Sequence, residues 1–136
     1  MGRLVRFGEW LMSYDTAYRA SDRYFGAEPD GYLLAHLDTL DPAGRVLDLG
    51  MGQGRNALWL ARRGFRVEGI EPSETARAAV QEVAAMEGLP LGVHANRFQE
   101  FDAGEASFGT VLALGLIPIL SWAELQLLKE RVDRWL

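Results

Sequence analysis

The sequence predicts an α/β domain whose mostly parallel sheet is covered by helices on both faces. Short apolar runs alternate with segments that have the apolar spacing of helices, and this alternation is typical of βαβ units. The run VLALGLI (111–117) is continuously apolar, as expected of a strand that is buried on both faces. No repeat or linker interrupts the 136 residues. We therefore expect one domain, with a helical cap over residues 1–44 and a core over residues 45–136.

Four strands are predicted in the core, and helices separate them. The strands are RVLDLG (45–50), FRVEGIE (65–71), LGVHAN (91–96) and FGTVLALGLI (108–117). The helices are a short one over 32–40 in the cap, then 55–64, 74–88 and one that follows Ser121.

Local signals mark the ends of these helices. Ser73 is placed to cap the helix over 74–88, and Gly88 is placed to end it. Gly64 is placed to end the helix over 55–64. Ser121 and Glu124 have the S-x-x-E spacing of a capping box, which predicts the start of the last helix.

Composition limits the classes of partner. The net charge is −5 and no basic patch stands out, so we expect no nucleic-acid partner. There are no cysteines, and His36 and His94 are isolated, so we expect no metal site. No apolar run approaches the roughly 18 residues of a membrane span, and the N-terminus lacks the pattern of a secretory signal. A cytoplasmic protein is the resulting prediction.

A glycine-rich loop follows the first strand in VLDLGMGQGRN (46–56), with glycines at alternate positions. Glycines allow a tight turn and close approach of a ligand, and the N–H groups at the start of the next helix favour a negative ligand group. Dinucleotide sites have the spacing G-x-G-x-x-G around a pyrophosphate. Here the spacing is G-x-G-x-G, and Asp48 points toward the same mouth. A carboxylate repels a pyrophosphate and attracts an ammonium group, so the ligand predicted is a nucleoside that carries a cation, such as S-adenosylmethionine.

Glu71 is the second acidic residue of the predicted site. It ends the second strand, 21 residues after Gly50. At about this spacing an acidic side chain accepts hydrogen bonds from the ribose hydroxyls of a nucleotide. Pro72 and Ser73 would then lie along the adenine edge. By itself an acidic residue such as Glu71 is more often a solvated strand end, so the prediction depends on its spacing from the glycine loop.

The pattern [D/E]-x-G-x-G-x-G, present as DLGMGQG (48–54), resembles motif I of the class I S-adenosylmethionine-dependent methyltransferases. The longer run VLDLGMGQGRNALWLARRGFRVEGIEPS (46–73) is similar to the tellurite-resistance methyltransferase group. The resemblance implies a Rossmann-like three-layer sandwich of seven strands. This sequence supplies about four of them, in the order 3-2-1-4. We therefore expect the chain to be C-terminally truncated relative to that fold.

The resemblance also implies roles at the ends of the third and fourth strands. Asn96 would accept from the adenine amino group, the backbone N–H of Arg97 would reach a ring nitrogen, and Phe98 would pack against the ring. Asn96 is also consistent with an ordinary turn residue. The end of the fourth strand, Leu114-Gly115-Leu116, would line the methionine side and the entry of the acceptor. The complete predicted set for cofactor binding is Asp48, Gly50, Met51, Gly52, Gly54, Asn56, Glu71, Pro72, Ser73, Asn96, Arg97, Phe98 and Leu114.

The resemblance predicts methyl transfer from S-adenosylmethionine, with S-adenosylhomocysteine as product, to a small acceptor of unknown identity. No catalytic residue is assigned, because transfer from a reactive sulfonium needs mainly in-line positioning. Two alternatives stay open. One is a module that binds S-adenosylmethionine or S-adenosylhomocysteine without activity because the C-terminal half is missing, and the other is an NAD-dependent oxidoreductase.

Two further expectations concern the cap and the sheet edge. Tyr14, Tyr18 and Tyr24 would cover the cofactor as a lid or serve as packing, and Arg19 and Arg23 would meet the methionine carboxylate or remain surface charges. The fourth strand would be an edge strand without charges to discourage pairing. It therefore predicts a homodimer through residues 109–116.

Overall fold

The computed structural model describes residues 15–21 and 26–136. Residues 15–20 are helical. The strands are β1 (Arg45–Leu49), β2 (Arg66–Ile70), β3 (Leu91–His94) and β4 (Thr110–Leu112). The α-helices are α1 (Gly31–Ala35), α2 (Arg55–Arg62), α3 (Glu74–Glu87) and α4 (Trp122–Trp135), with 3-10 turns at Leu37–Thr39 and Ile117–Ile119.

The four strands form one parallel sheet in the order β3-β2-β1-β4, which confirms the predicted order. In its register Asp48 lies beside Gly69 of β2 and Leu112 of β4. All strands run in the same direction, so their carboxyl ends meet at one edge of the sheet. The loops that carry the predicted site residues therefore leave the sheet on the same side.

Two apolar clusters cover opposite faces of the sheet, because neighbouring positions of a strand point to opposite faces. One joins β1 and β2 to the first three helices: Leu33, Val46, Met51, Ala57, Leu58, Leu60, Ala61, Val67, Val80, Ala84 and Leu112. The other joins the sheet to α4 and three phenylalanines: Leu47, Leu49, Ile70, Phe98, Phe101, Phe108, Leu128 and Trp135. The predicted three-layer, Rossmann-like architecture is confirmed.

The predicted helix caps are present. The Ser73 hydroxyl accepts from the N–H of Ala76 at 3.2 Å, and Gly88 ends α3 with a φ of 66°. At the start of α4 the Ser121 hydroxyl accepts from the N–H of Glu124 at 3.2 Å, while the Glu124 carboxylate accepts from the N–H of Ser121 at 2.9 Å. These side chains satisfy N–H groups that the helices themselves leave unpaired.

The cap helix predicted over 32–40 is wrong in its extent, because it divides after Ala35 into α1 and a 3-10 turn. The N–H of His36 donates to Leu33 O at 3.2 Å instead of continuing the α-helical pattern. The Thr39 hydroxyl donates to His36 O at 2.6 Å. A side chain that bonds a nearby carbonyl in this way competes with the helix for it.

The fourth strand is also shorter than predicted. Only Thr110–Leu112 pairs with β1, whereas the prediction was 108–117. Gly115 has a φ of 85°, and Pro118 lies in the turn Ile117–Ile119. A left-handed residue and a residue without an N–H cannot continue a strand ladder, so the apolar run turns away from the sheet. The predicted helix over 55–64 likewise ends two residues early, at Arg62.

We propose that two chains associate through the outer side of β4. In the part of the chain that the structure describes, β4 pairs only with β1, and no charged side chain lies within Thr110–Leu112. An uncharged edge is a template for another strand. Light scattering over a concentration series should give a mass of about twice 15.1 kDa at the higher concentrations. A monomer whose mass does not change with concentration would contradict the association.

Candidate functional site

A cavity of about 190 Å³ lies at the carboxyl ends of the strands, where open α/β sheets bind their ligands. The loops after all four strands contribute to its wall, together with Tyr18 of the N-terminal helical segment. Most of the predicted cofactor-binding residues line it: Gly50, Met51, Gly52, Asn56, Glu71, Pro72, Ser73, Asn96, Arg97, Phe98 and Leu114. The structure therefore brings four separate sequence segments to one cavity.

Asp48 and Gly54 are the predicted residues that do not line the cavity. Gly54 begins α2 with a φ of 84°, and a Cβ there would lie 2.9 Å from Val80 Cγ2. Its role is to let α2 pack closely against α3. Asp48 lies within β1 and is only 2% exposed. The carboxylate charge of Asp48 therefore acts on the cavity from within the sheet.

The glycine loop is held at its base by β2. The N–H groups of Gly50 and Met51 both donate to Ile70 O, at 2.9 and 3.1 Å. At the next glycine, a Cβ on Gly52 would lie 2.9 Å from the hydroxyl oxygen of Tyr18. Gly52 also has a φ of 56°, which favours glycine. This position therefore lets the N-terminal segment approach the loop.

Arg55 and Asn56 open α2 and fix the chain that precedes α1. The Asn56 side-chain oxygen accepts from the N–H of Asp30 at 2.8 Å, and Arg55 forms an ion pair with the Asp30 carboxylate at 3.2 Å. Both residues also line the cavity. The amide of Asn56, predicted to contact the cofactor, thus has a structural partner.

Two buried carboxylates give the site its electrostatic character. Asp48 is 2% exposed and Glu71 is 6% exposed. Burial raises the pKa of Asp48 to about 7, against the opposing effect of Arg55. Burial and then the charge of Asp48 raise the pKa of Glu71 to about 7, against Arg77 and the backbone N–H groups of Gly52 and Ser73. Two carboxylates so close together favour a ligand with positive charge or hydroxyl donors over one with phosphates.

Asp48 also has an unused hydrogen-bonding atom. Within the described parts of the chain its Oδ2 is buried and has no hydrogen-bond partner. Buried polar atoms are nearly always paired, so an unpaired one calls for an explanation. Because Asp48 does not line the cavity, its negative charge, and not this atom directly, faces a ligand there.

The residues after β2 and β3 form the opposite part of the wall. The N–H of Glu71 donates to His94 O at 3.0 Å and ties the two strand ends together. Asn96 is half-buried in the loop that follows, and Phe98 is almost fully buried in the core. The carbonyl of Arg97 accepts from the N–H groups of Glu100 and Phe101, which makes a turn directly beside the cavity.

The turn after β4 supplies an apolar wall. Leu114, Gly115, Leu116 and Ile119 line the cavity there. These residues add no acid or base to the part of the wall that the structure describes. The apolar residues that the sequence places after the fourth strand therefore line the cavity, but they lie in a turn and not in a strand.

Sequence reasoning missed several residues of the wall. Gln53 and Arg55 lie between and beside predicted residues, and their position in the glycine loop is the signal that could have identified them. Ile119 was hidden by the assumption that the strand continued, although Pro118 signals a turn. The other missed residues are Gly26, Ile70 and Gln99.

The predicted cap residues are only partly within the described chain. Tyr18 is buried and lies on the cavity wall. Arg19 lies away from the wall and pairs with Asp15 at 3.0 Å, with 72% of its side chain exposed. Tyr14, Arg23 and Tyr24 lie outside the described residues.

Residues 15–21 and 26–136 contain no group of three or more potential metal-ligating side chains. They also contain no helix with the length and apolar character needed to cross a membrane.

The fold and the cavity define a Rossmann-like α/β domain with a candidate ligand site at the carboxyl ends of its strands. Residues 46–136 match the model of the family described as "Methyltransferase domain". Because this match covers more than half of the chain, the chain belongs to that family.

Individual relatives agree with this assignment. Ribosomal RNA small subunit methyltransferase G of Methylorubrum populi is 36% identical over 90 residues, which cover 60% of this chain and 43% of that protein. The structure titled "Conversion of a Disulfide Bond into a Thioacetal Group during Echinomycin Biosynthesis" is 26% identical with a TM-score of 0.78, and covers 93% of this chain and 55% of that one. The CcbJ methyltransferase of Streptomyces caelestis is 32% identical with a TM-score of 0.56, and covers 71% of this chain and 40% of that one. The matches span 15–43% of the length of the curated relatives.

The carboxylate pair predicts an unusual dependence of stability on pH. Each pKa is near 7 in the folded protein and near 4 in the unfolded chain. Between about pH 4 and pH 7 the folded state therefore binds more protons than the unfolded state. The stabilisation is complete below about pH 4 and is lost as the pH rises through about 7. The free energy of unfolding should fall by up to about 1.4 kcal/mol per pH unit and per group in this window.

Urea unfolding of the ligand-free protein at about pH 5.5 and pH 8 measures this loss. Asp48→Asn should reduce it substantially, because an uncharged amide replaces the buried carboxylate. Asp133→Asn, at an exposed carboxylate paired with Lys129 on α4, is the control and should leave it unchanged. An equal loss in Asp48→Asn and the wild-type protein would contradict this description of the site.

Proposed function

We propose that this chain binds S-adenosylmethionine in the cavity and positions it for methyl transfer to a small acceptor. The observation that carries the proposal is the buried pair Asp48 and Glu71 beside a glycine loop. Glu71 lines the cavity and has two oxygens that can accept hydrogen bonds from ribose hydroxyls. Asp48, with an unpartnered buried oxygen, favours the amino group and positive charge of the same ligand.

The remaining wall fits the other parts of this cofactor. Asn96 offers an amide oxygen for an adenine amino group, and Phe98 lies next to it as an apolar surface. A dinucleotide fits less well, because the charge of its pyrophosphate would be repelled by Glu71 in the cavity wall and by Asp48 in the adjoining strand. The charge of the site therefore favours S-adenosylmethionine over NAD.

When bound, S-adenosylmethionine supplies a methyl group that its sulfonium has already activated. The chain's own contribution is then to orient the two reactants and to exclude water. Leu114, Leu116 and Ile119 provide an apolar wall without a general base. We therefore propose a small acceptor whose nucleophilic atom already has a free lone pair, so that the enzyme does not need to remove a proton from it. The relatives act on different acceptors, and none of these is transferred to this chain.

We also propose that the chain is related to the tellurite-resistance group and has a cytoplasmic location. We propose further that residues 1–44 form a cap on a core over residues 45–136. Each is inferred from the sequence pattern. Methylation products of tellurite would be the first acceptor-specific readout for the subgroup.

Ligand binding tests the proposal directly. S-adenosylmethionine at 100 times its dissociation constant should raise the free energy of unfolding by about 2.7 kcal/mol, and NAD should not. Glu71→Gln should weaken binding of S-adenosylhomocysteine at least about tenfold in calorimetry, because it removes the charged acceptor of the ribose hydroxyls. Glu74→Gln, at an exposed carboxylate three residues further along the chain, is the matched control and should bind normally.

Different results separate the alternatives. Absence of any stabilisation by S-adenosylmethionine would contradict the proposal, and stabilisation by NAD alone would favour an oxidoreductase. Binding without production of S-adenosylhomocysteine from a broad acceptor panel would favour a cofactor-binding module without activity.

A further inference from the structure

The N-terminal segment 15–21, here called the lid segment, contacts both of the loops that would hold the cofactor. Its first residue, Asp15, bonds Ser73 in the loop after β2. Its middle and end bond Gln53 in the glycine loop after β1. The lid segment therefore bridges the loops that follow β1 and β2.

Asp15 is the contact to the loop that contains Glu71. The Ser73 hydroxyl donates to the Asp15 carboxylate at 2.6 Å, and at the same time accepts from the N–H of Ala76. Thr75 adds further hydrogen bonds to the same carboxylate. The carboxylate thus lies at the N-terminus of α3, where a negative charge is favoured.

Gln53 is the contact to the glycine loop. Its amide nitrogen donates to the carbonyl oxygens of Tyr18, at 3.4 Å, and Ser21. The Tyr18 ring is 7% exposed, lines the cavity and lies against Gly52. Any side chain at position 52 would collide with the Tyr18 hydroxyl, so the glycine loop is shaped to receive this ring.

We propose that the lid segment retains the cofactor, and that Asp15 and Gln53 are the positioning residues that hold it closed over the cavity. This inference rests on the proposed function. Tyr18 forms part of the cavity wall, so ligand exit on this side requires the lid segment to move. Because Asp15 and Gln53 attach it to both cofactor loops, a ligand that orders these loops also favours the closed lid.

Limited proteolysis reads the lid position without any catalysis. Arg19 lies within the lid segment and has an exposed side chain, so trypsin can recognise it. Because residues 15–20 are helical, cleavage after Arg19 requires the helix to open locally. Saturating S-adenosylhomocysteine should slow this cleavage at least about tenfold in the wild-type protein, and mass spectrometry identifies the product. Gln53→Ala should be cleaved faster, and its complex with S-adenosylhomocysteine should dissociate about tenfold faster.

Further variants separate the lid contacts from other effects. Gln53→Ala is decisive because the bonds that it removes end on the carbonyls of Tyr18 and Ser21, whereas Asp15 is the ion-pair partner of Arg19. Asp15→Ala should behave in the same way, whereas Asp15→Asn keeps an oxygen that accepts from Ser73 and should be intermediate. Gln126→Ala and Asp133→Ala, at exposed positions of α4, are the matched controls and should resemble the wild-type protein.

The outcomes distinguish failure of the lid proposal from failure of the proposed function. Dissociation and cleavage rates in Gln53→Ala and Asp15→Ala that equal those of the controls would overturn the lid while leaving the proposed function intact. Failure of the wild-type protein to bind S-adenosylhomocysteine would overturn the proposed function and the lid together. Faster dissociation with unchanged thermal stability of the ligand-free protein supports the lid.

Discussion

The burial of two carboxylates at the ends of adjacent strands is the constraint on which the site depends. Asp48 and Glu71 are both nearly inaccessible to water, and each disfavours the charge of the other. Removing a carboxylate from water is costly unless a partner compensates it. Here the partial compensation comes from Arg55, Arg77 and backbone N–H groups. A ligand that brings a cation and hydroxyl donors would complete the compensation of the two buried carboxylates.

The sheet is what brings the two carboxylates together. β1 and β2 are parallel and in register, so residues near their carboxyl ends meet at one edge. The glycine loop turns back immediately, and its N–H groups bond the end of β2. The loop after β2 then leads into α3 through the Ser73 cap. Strand direction, tight turn and helix cap together leave the cavity open above the acidic pair.

Much of this arrangement could be predicted from the sequence, because it follows from short-range patterns. Alternating apolar runs predicted four strands in a parallel sheet, and the resemblance to the methyltransferase family supplied their order. Ser73, Gly88 and Ser121 predicted helix ends by their local chemistry. The end of β4 was predicted wrongly, because an apolar run has the same appearance in a strand and in a buried turn. Gly115 and Pro118 decided the conformation there. The contacts of Gln53 and Asp15 were beyond prediction, since they join residues that only the tertiary fold brings together.

The most direct test is the crystal structure of this chain with S-adenosylhomocysteine. We expect a nucleoside in the cavity, with both ribose hydroxyls donating to the Glu71 carboxylate, the amino group on the side of Asp48 and adenine beside Phe98. A ligand bound outside this cavity, or one whose ribose does not contact Glu71, would contradict it.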